Sequence, residues 1–285
     1  MKTLLVYSYR DYPESSINLK YFQKYLRGLG EAFHSILYLN GKKNINYELD
    51  GFSEIRLTQA ETDLEDFRSG LNDVRLDEYG SFVFINSSCI GPVMPLYCEG
   101  SWLEFLRNYM LSQGADLIAP VIELHPDDLS NLKSVKFKNL FHSTKNVPFI
   151  HSYFFMVTHK ALSVLLEYGG LASGPISKAD SILVRERLIT AALLDAGLKV
   201  CTLQRVFEGV DWRDAENWEK YKPRKRGPSC PEVPGNYYGS DLDPYEVMFF
   251  KNIRHKHMFR SRKSSGISKN ISKYIENIIL RPKPE

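Results

Sequence analysis

The chain has 285 residues and a mass of 32.9 kDa, with 43% hydrophobic and 25% charged residues and only 18 Gly and 14 Pro. That is enough to bury a sizeable core, and it excludes a disulfide-stapled miniprotein, a collagenous chain and a disordered one. The formal charge of +3 conceals an asymmetry, because residues 251–285 hold ten Lys/Arg against two acids, a basic tail behind an acidic body.

The first strand-like run, Leu4–Ser8, leads into a helical pattern in which Leu19, Phe22, Leu26 and Leu29 share a face. Ser15 or Ser16 is placed to cap that helix, and Gly28 and Gly30 lie near its stop. Strands follow at Ser35–Leu39 and Phe82–Asn86, then a helix over Trp102–Leu111 and a strand over Leu117–Val121. An unbroken strand is expected over Ile150–Val157, helices over Lys160–Tyr168 and Asp180–Ala196, and a strand over Lys199–Leu203. Gly197 stands where a C-cap glycine belongs. This alternation predicts an α/β fold, a mainly parallel sheet flanked by helices, with ligands bound outside the carboxyl ends of its strands.

Beyond the last strand, Tyr221–Ser240 reads as a long irregular loop suited to a lid, and Pro244–Arg254 as a helical segment. Ile267, Ile271 and Ile275 then fall at helical spacing among lysines. The expected organisation is one α/β domain over residues 1–254 and a basic, amphipathic C-terminal helical extension over residues 255–285, charged for an anionic membrane surface.

The four cysteines, Cys89, Cys98, Cys201 and Cys230, form no CxxC pair and no short Cys/His spacing, so a reducing compartment and no metal site are expected. The apolar run after Met1 is too short for a signal peptide, and nothing approaches the roughly 20 apolar residues of a membrane span. These features predict a cytoplasmic protein, with the tail suited to peripheral contact at the inner membrane face.

Asn86, Ser87 and Ser88 end a buried strand, where an α/β sheet presents polar groups to a ligand; an ordinary Asx or Ser turn uses the same residues. His151 precedes a buried strand, either as a hydrogen-bonded core residue or as an acceptor contact. Asp211 and Trp212 belong to an aromatic and acidic cluster with Asp214 and Trp218, which fits a sugar platform or a loop anchor.

Two separated blocks carry a resemblance. Phe82-Val83-Phe84-Ile85-Asn86-Ser87-Ser88-Cys89-Ile90-Gly91-Pro92 resembles the FxxxNxSxxGP segment of bacterial polysaccharide-assembly glycosyltransferases, relatives of rhamnan-synthesis proteins and of galactofuranosyltransferases with the Rossmann-like GT-A fold. Asp243-Pro244-Tyr245-Glu246-Val247-Met248-Phe249-Phe250-Lys251-Asn252-Ile253-Arg254 resembles their HPxExxFxKxxR block, with Asp243 where His is usual. The first strand with Tyr9, Glu14 and Asn18–Phe22, and the run Ser152-Tyr153-Phe154-Phe155, are similar to that group as well.

The resemblance implies transfer of a hexosyl group, galactofuranosyl among those permitted, from a UDP-sugar to a growing O-antigen, lipopolysaccharide or capsule glycan, with a lipid-linked acceptor. Tyr9, Asn86, Ser87 and Ser88 are then donor contacts, together with Lys251 and Arg254 at i and i+3 of one helical face. GT-A enzymes carry metal-binding DxD carboxylates where this chain has Asn86, Ser87 and Ser88, so donor binding without a divalent metal is expected. Hydroxyl and cationic side chains would share the diphosphate charge instead. Val184–Thr190 resembles the acidic motif that opens the acceptor-side helix, which makes Glu186 the candidate base of an inverting transfer, with Asp180, Glu208 and Asp211 as alternatives. His151, Ser152, Asp211 and Trp212 are the acceptor-side candidates. No nucleic-acid partner is expected, since the acidic body has no recognisable module for one. Two readings from other classes stand beside this one: a catalytically inactive scaffold in a glycan-assembly complex, and a nucleic-acid-associated protein acting through its tail.

Overall fold

The structure is a computed structural model, and it describes residues 2–27, 29–30, 32–40, 49–72, 74–95, 97–98, 100–124, 148–167, 170–171, 185–221, 230–233 and 235–251. The basic tail, Arg254 and Asp180 lie outside the described residues.

β1 (Lys2–Arg10) is buried along nearly its whole length, as befits a central strand covered on both faces. Its side chains alternate between two apolar layers. Leu4 and Val6 face α2 (Asp63–Asn72), α4 (His159–Glu167) and α5 (Glu186–Asp195), while Leu5, Tyr7 and Tyr9 face α1 (Ser15–Leu26) and α3 (Trp102–Ser112). β4 (Tyr79–Asn86) divides in the same way, Phe82 and Phe84 to one layer and Val83 and Ile85 to the other.

Among the described residues the main sheet has seven strands in the order β3-β2-β1-β4-β9-β6-β10, with β2 Phe33–Asn40, β3 Glu54–Thr58, β6 Leu117–Ala119, β9 Phe154–Thr158 and β10 Val200–Thr202. All neighbours run parallel except β9, which is antiparallel to both β4 and β6. The mainly parallel α/β architecture expected from the sequence is therefore what forms. From β1 the chain builds outward through β2 to β3 and then returns through α2 to lay β4 on the other side of β1. The carboxyl ends of β1 and β4 thus flank a topological switch point, where such sheets open a crevice for ligands.

Several local expectations change. The run Ile150–Val157 is two strands, β8 (Pro148–Ile150) and β9, parted by the turn at His151, Ser152 and Tyr153. β8 pairs with β7 (Ile122–Leu124) in a small sheet of its own. Of the expected helix over Pro244–Arg254, the described residues form only α6 (Pro244–Val247), because Met248 takes a positive φ of 60° and turns the chain into β11 (Phe250–Lys251). Lys251 therefore sits on a strand rather than a helix, while Arg254, its expected companion, lies outside the described residues. α5 is described from Glu186 to Asp195, and Gly197 after it has φ 72°, as a C-cap glycine should. Ser15 opens α1 without capping it; its hydroxyl bonds Ser87 Oγ instead, at 3.1 Å.

Candidate functional site

The carboxyl end of β4 is stitched to that of β1. Ser87 N donates to Ser8 O at 2.9 Å, Arg10 N to Ser87 Oγ at 2.9 Å, and Ser87 Oγ to Arg10 O at 3.0 Å. Asn18 Nδ2 on α1 donates to Ser87 O at 2.9 Å. Asn86 Oδ1 accepts from Ser88 N at 3.1 Å and from Ser88 Oγ at 2.6 Å, the Asx turn the sequence allowed. Tyr9 lies beside this turn, buried in the layer under α1.

Two carboxylates that sequence reasoning missed stand next to it. Asp63 and Asp66, in the first turn of α2, take the Arg10 guanidinium at 2.7 and 3.2 Å, while Asn86 Nδ2 donates to Asp63 at 2.8 Å and Ser8 Oγ to Asp66 at 2.6 Å. Burial pushes the Asp66 carboxyl above its usual range. An Asp-x-x-Asp pair opening a helix is the signal that marks them, since an acidic first turn suits the positive end of the helix dipole. Arg10 is committed to holding α2 at the rim, also donating to Ala60 O at 2.9 Å.

The two blocks that carry the resemblance meet here. β5 (Cys89–Ile90) pairs antiparallel with β11, matching Ile90 with Phe250 and Cys89 with Lys251, and Val93 N donates to Met248 O at 2.7 Å. The turn at 151–153 completes the rim, because β9 runs against β4 and brings its amino end to that strand's carboxyl end. Asn86 N donates to Tyr153 O at 3.0 Å, and Lys251 Nζ lies 5.4 Å from the Tyr153 ring centre. Tyr153 OH donates to Phe249 O at 3.3 Å.

Behind that turn, Ser152 Oγ donates to Glu186 Oε1 at the start of α5. His151 is held between two buried carboxylates, Nε2 at 2.8 Å from Glu123 and Nδ1 at 3.1 Å from Glu232. Burial alone lowers an imidazole's pKa, but these carboxylates outweigh it and raise His151 to about 9. Glu232 also accepts from Lys251 N at 3.2 Å and lies 3.8 Å from Cys230 Sγ. Glu123, His151 and Cys230 place one ligand atom each within 4.8 Å of one another, so the expectation of no metal site is not supported: these three are able to hold an ion.

Tyr9, Asn86, Ser87, Ser88, Lys251, His151, Ser152 and Glu186 are thus brought to one end of the sheet. Asp211 and Trp212 do not join them. Trp212 is fully buried against Phe207 and Tyr221 in the α2 and α5 layer, and Asp211 pairs at 2.6 Å with Arg213, which donates to Gly197 O before the amino end of β10. The loop-anchor reading describes that pair.

No protein-family model and no curated protein matches the chain. Among solved structures it is similar to S. aureus TarS, at 11% identity over 71% of this chain with a TM-score of 0.38, and spans about a third, 35%, of that protein's length. It is also similar to a Drosophila β1,4-galactosyltransferase 7 mutant solved with manganese, UDP-Gal and xylobiose, at 13% identity over 80% of this chain and 83% of that one, TM-score 0.35. Overlaps this loose carry no argument about the chemistry of this chain.

Proposed function

We propose that the chain is a glycosyltransferase that moves a hexosyl group from a UDP-sugar to a hydroxyl of a growing cell-surface glycan. One observation carries the reading: the two distant segments that resemble polysaccharide-assembly transferases pair as β5 and β11, beside the crevice where an α/β sheet binds its ligand. In this reading the donor lies over the Asn86–Ser88 turn, with Lys251 as the cation nearest the leaving diphosphate. The acceptor approaches from the Ser152 and Glu186 side, next door through the Asn86 to Tyr153 hydrogen bond. Glu186 takes the proton of the acceptor hydroxyl as that oxygen attacks the anomeric carbon and the bond to UDP breaks, which inverts the centre. Ser152 holds one carboxylate oxygen, leaving the other for the proton.

A cytoplasmic site with a lipid-linked acceptor is part of the proposal and rests on the resemblance and the basic tail. No helix among the described residues is long and apolar enough to cross a membrane.

Calorimetry with UDP, UDP-hexoses and other nucleotides tests the assignment, with an Asn86→Ala/Ser88→Ala variant as control. UDP or one UDP-sugar should bind the native chain and lose affinity in the variant. A lack of binding to any nucleotide, or equal affinity in the variant, would refute it. Binding without turnover, using a matched acceptor, would favour the inactive scaffold, a reading to which the carboxylate-free turn at 86–88 lends weight.

A further inference from the structure

The buried cluster behind the rim has a composition that sugar transfer does not call for. A thiol, an imidazole and a carboxylate from three separate segments converge in a place closed to solvent, with Glu123 at 6%, His151 at 4% and Cys230 at 8% exposure. Mixed sulfur, nitrogen and oxygen donors suit Zn²⁺ more than Mg²⁺ or Mn²⁺, which prefer oxygen alone. We infer that Glu123, His151 and Cys230 form a Zn²⁺ site that fastens residues 230–233 and β11 to the carboxyl end of the sheet.

The spacing agrees with this. Zinc bonds of about 2.0–2.3 Å in a tetrahedron set neighbouring donors about 3.3–3.7 Å apart. In the structure Glu123 and His151 Nε2 are 2.8 Å apart, and Glu123, His151 and Cys230 each offer one ligand atom within 4.8 Å of the others. Opening the first gap by about half an ångström and drawing the thiol inward makes room for the ion. The other imidazole nitrogen is already provided for, because Nδ1 faces Glu232 at 3.1 Å. A metal-bound histidine typically gives its second N–H to a carboxylate, which fixes the ring and strengthens the ligand. Glu232 is itself held by Lys251 N at 3.2 Å, so the chain of contacts runs from the ion to the strand that carries the candidate donor lysine. On binding, Zn²⁺ displaces the imidazole Nε2 proton and the thiol proton, both released to solvent, and bonds to neutral imidazole, thiolate and carboxylate.

The test is independent of the sugar-transfer reading, since it needs neither nucleotide nor turnover. The full-length protein is stripped with a chelator, reloaded with Zn²⁺, dialysed and analysed by plasma mass spectrometry; a second aliquot is loaded with Co²⁺ for absorption spectroscopy. The expected result is one Zn²⁺ per chain, a raised melting temperature, and a thiolate-to-cobalt charge-transfer band. Cys230→Ser should lose the band and at least tenfold in zinc affinity, whereas replacing the exposed Cys98 by Ser should leave both intact. Absence of bound zinc and of the cobalt band in the native protein would overturn the inference. So would zinc retained with equal affinity by Cys230→Ser. The native-protein readouts decide the matter even if that variant folds poorly.

Discussion

Gly91 is the residue on which the meeting of β5 and β11 turns. Its φ is 151°, and a Cβ added there would stand 2.4 Å from Phe249 Cδ1 and 2.6 Å from Met248 O. The backbone conformation costs a side chain about 1–3 kcal/mol, and the overlap, which must push on the carbonyl that Val93 N bonds, adds about as much again. Gly91→Ala should therefore lower stability by about 2–6 kcal/mol, a large share of the 5–15 kcal/mol of an ordinary domain. Urea unfolding followed by far-ultraviolet circular dichroism measures this, with Gly30→Ala as the control. Gly30 has φ 73° but open space around its Cβ position, so its substitution should cost only the conformational part, about 1–2 kcal/mol. A Phe249→Leu background should return part of the Gly91→Ala loss, because the ring supplies the nearest contact and the carbonyl the next. If Gly91→Ala costs less than about 0.5 kcal/mol, the β5–β11 junction is not built as described.

Further outcomes follow from the same geometry. If Glu186 is the base proposed above, Glu186→Gln should cut kcat about 10²–10⁴-fold with KM little changed, read by UDP release, since the amide keeps the shape and loses only the capacity to take a proton. In the same reading Ser152→Ala should cost about 10–100-fold in kcat, the worth of one hydrogen bond to a charged group. Trp212→Ala should destabilise by about 3–5 kcal/mol in a denaturant titration, as expected of a fully buried indole rather than a sugar platform. Hydrogen bonds from Arg213 hold the Asp211 carboxyl down to about 2, so its stabilisation is present above the usual aspartate value near 3.9 and is lost as pH falls toward 2. The stability gap between the native protein and Asp211→Asn, small because the pair is exposed, should close over that interval.

Strands that are buried on both faces were legible, because β1 and β4 read as continuous apolar runs bounded by polar turns. β3 was not, since its alternation points the wrong way: Ile55 and Leu57 are 48% and 82% exposed on a sheet edge while its polar residues turn inward. The break between β8 and β9 hid inside an apolar stretch for the opposite reason, with only His151 and Ser152 to mark a turn whose necessity lies in the rim it completes. Asn86–Ser88, Lys251 and Glu186 emerged from local patterns and resemblance. Arg10, Asp63, Glu123 and Glu232 did not, because their roles depend on contacts such as the one joining Glu123 and His151 across 28 residues. A search for short Cys/His spacings cannot find Cys230 with ligands that the fold alone brings to it.

The β5–β11 pairing also orders events on the ribosome. Every described strand of the main sheet has been synthesised by Thr202, so a nascent chain of that length already carries most of both apolar layers, lacking Leu203, Phe207, Trp212, Met248 and Phe249, and can begin to condense, as the leading part of a chain does during translation. The rim must wait for Phe250 and Lys251 to emerge and dock on Cys89 and Ile90. Assembly of this rim is thereby postponed until well after the main sheet has emerged, and a chain cut short after β10 would keep most of its scaffold while lacking the strand that pairs with β5.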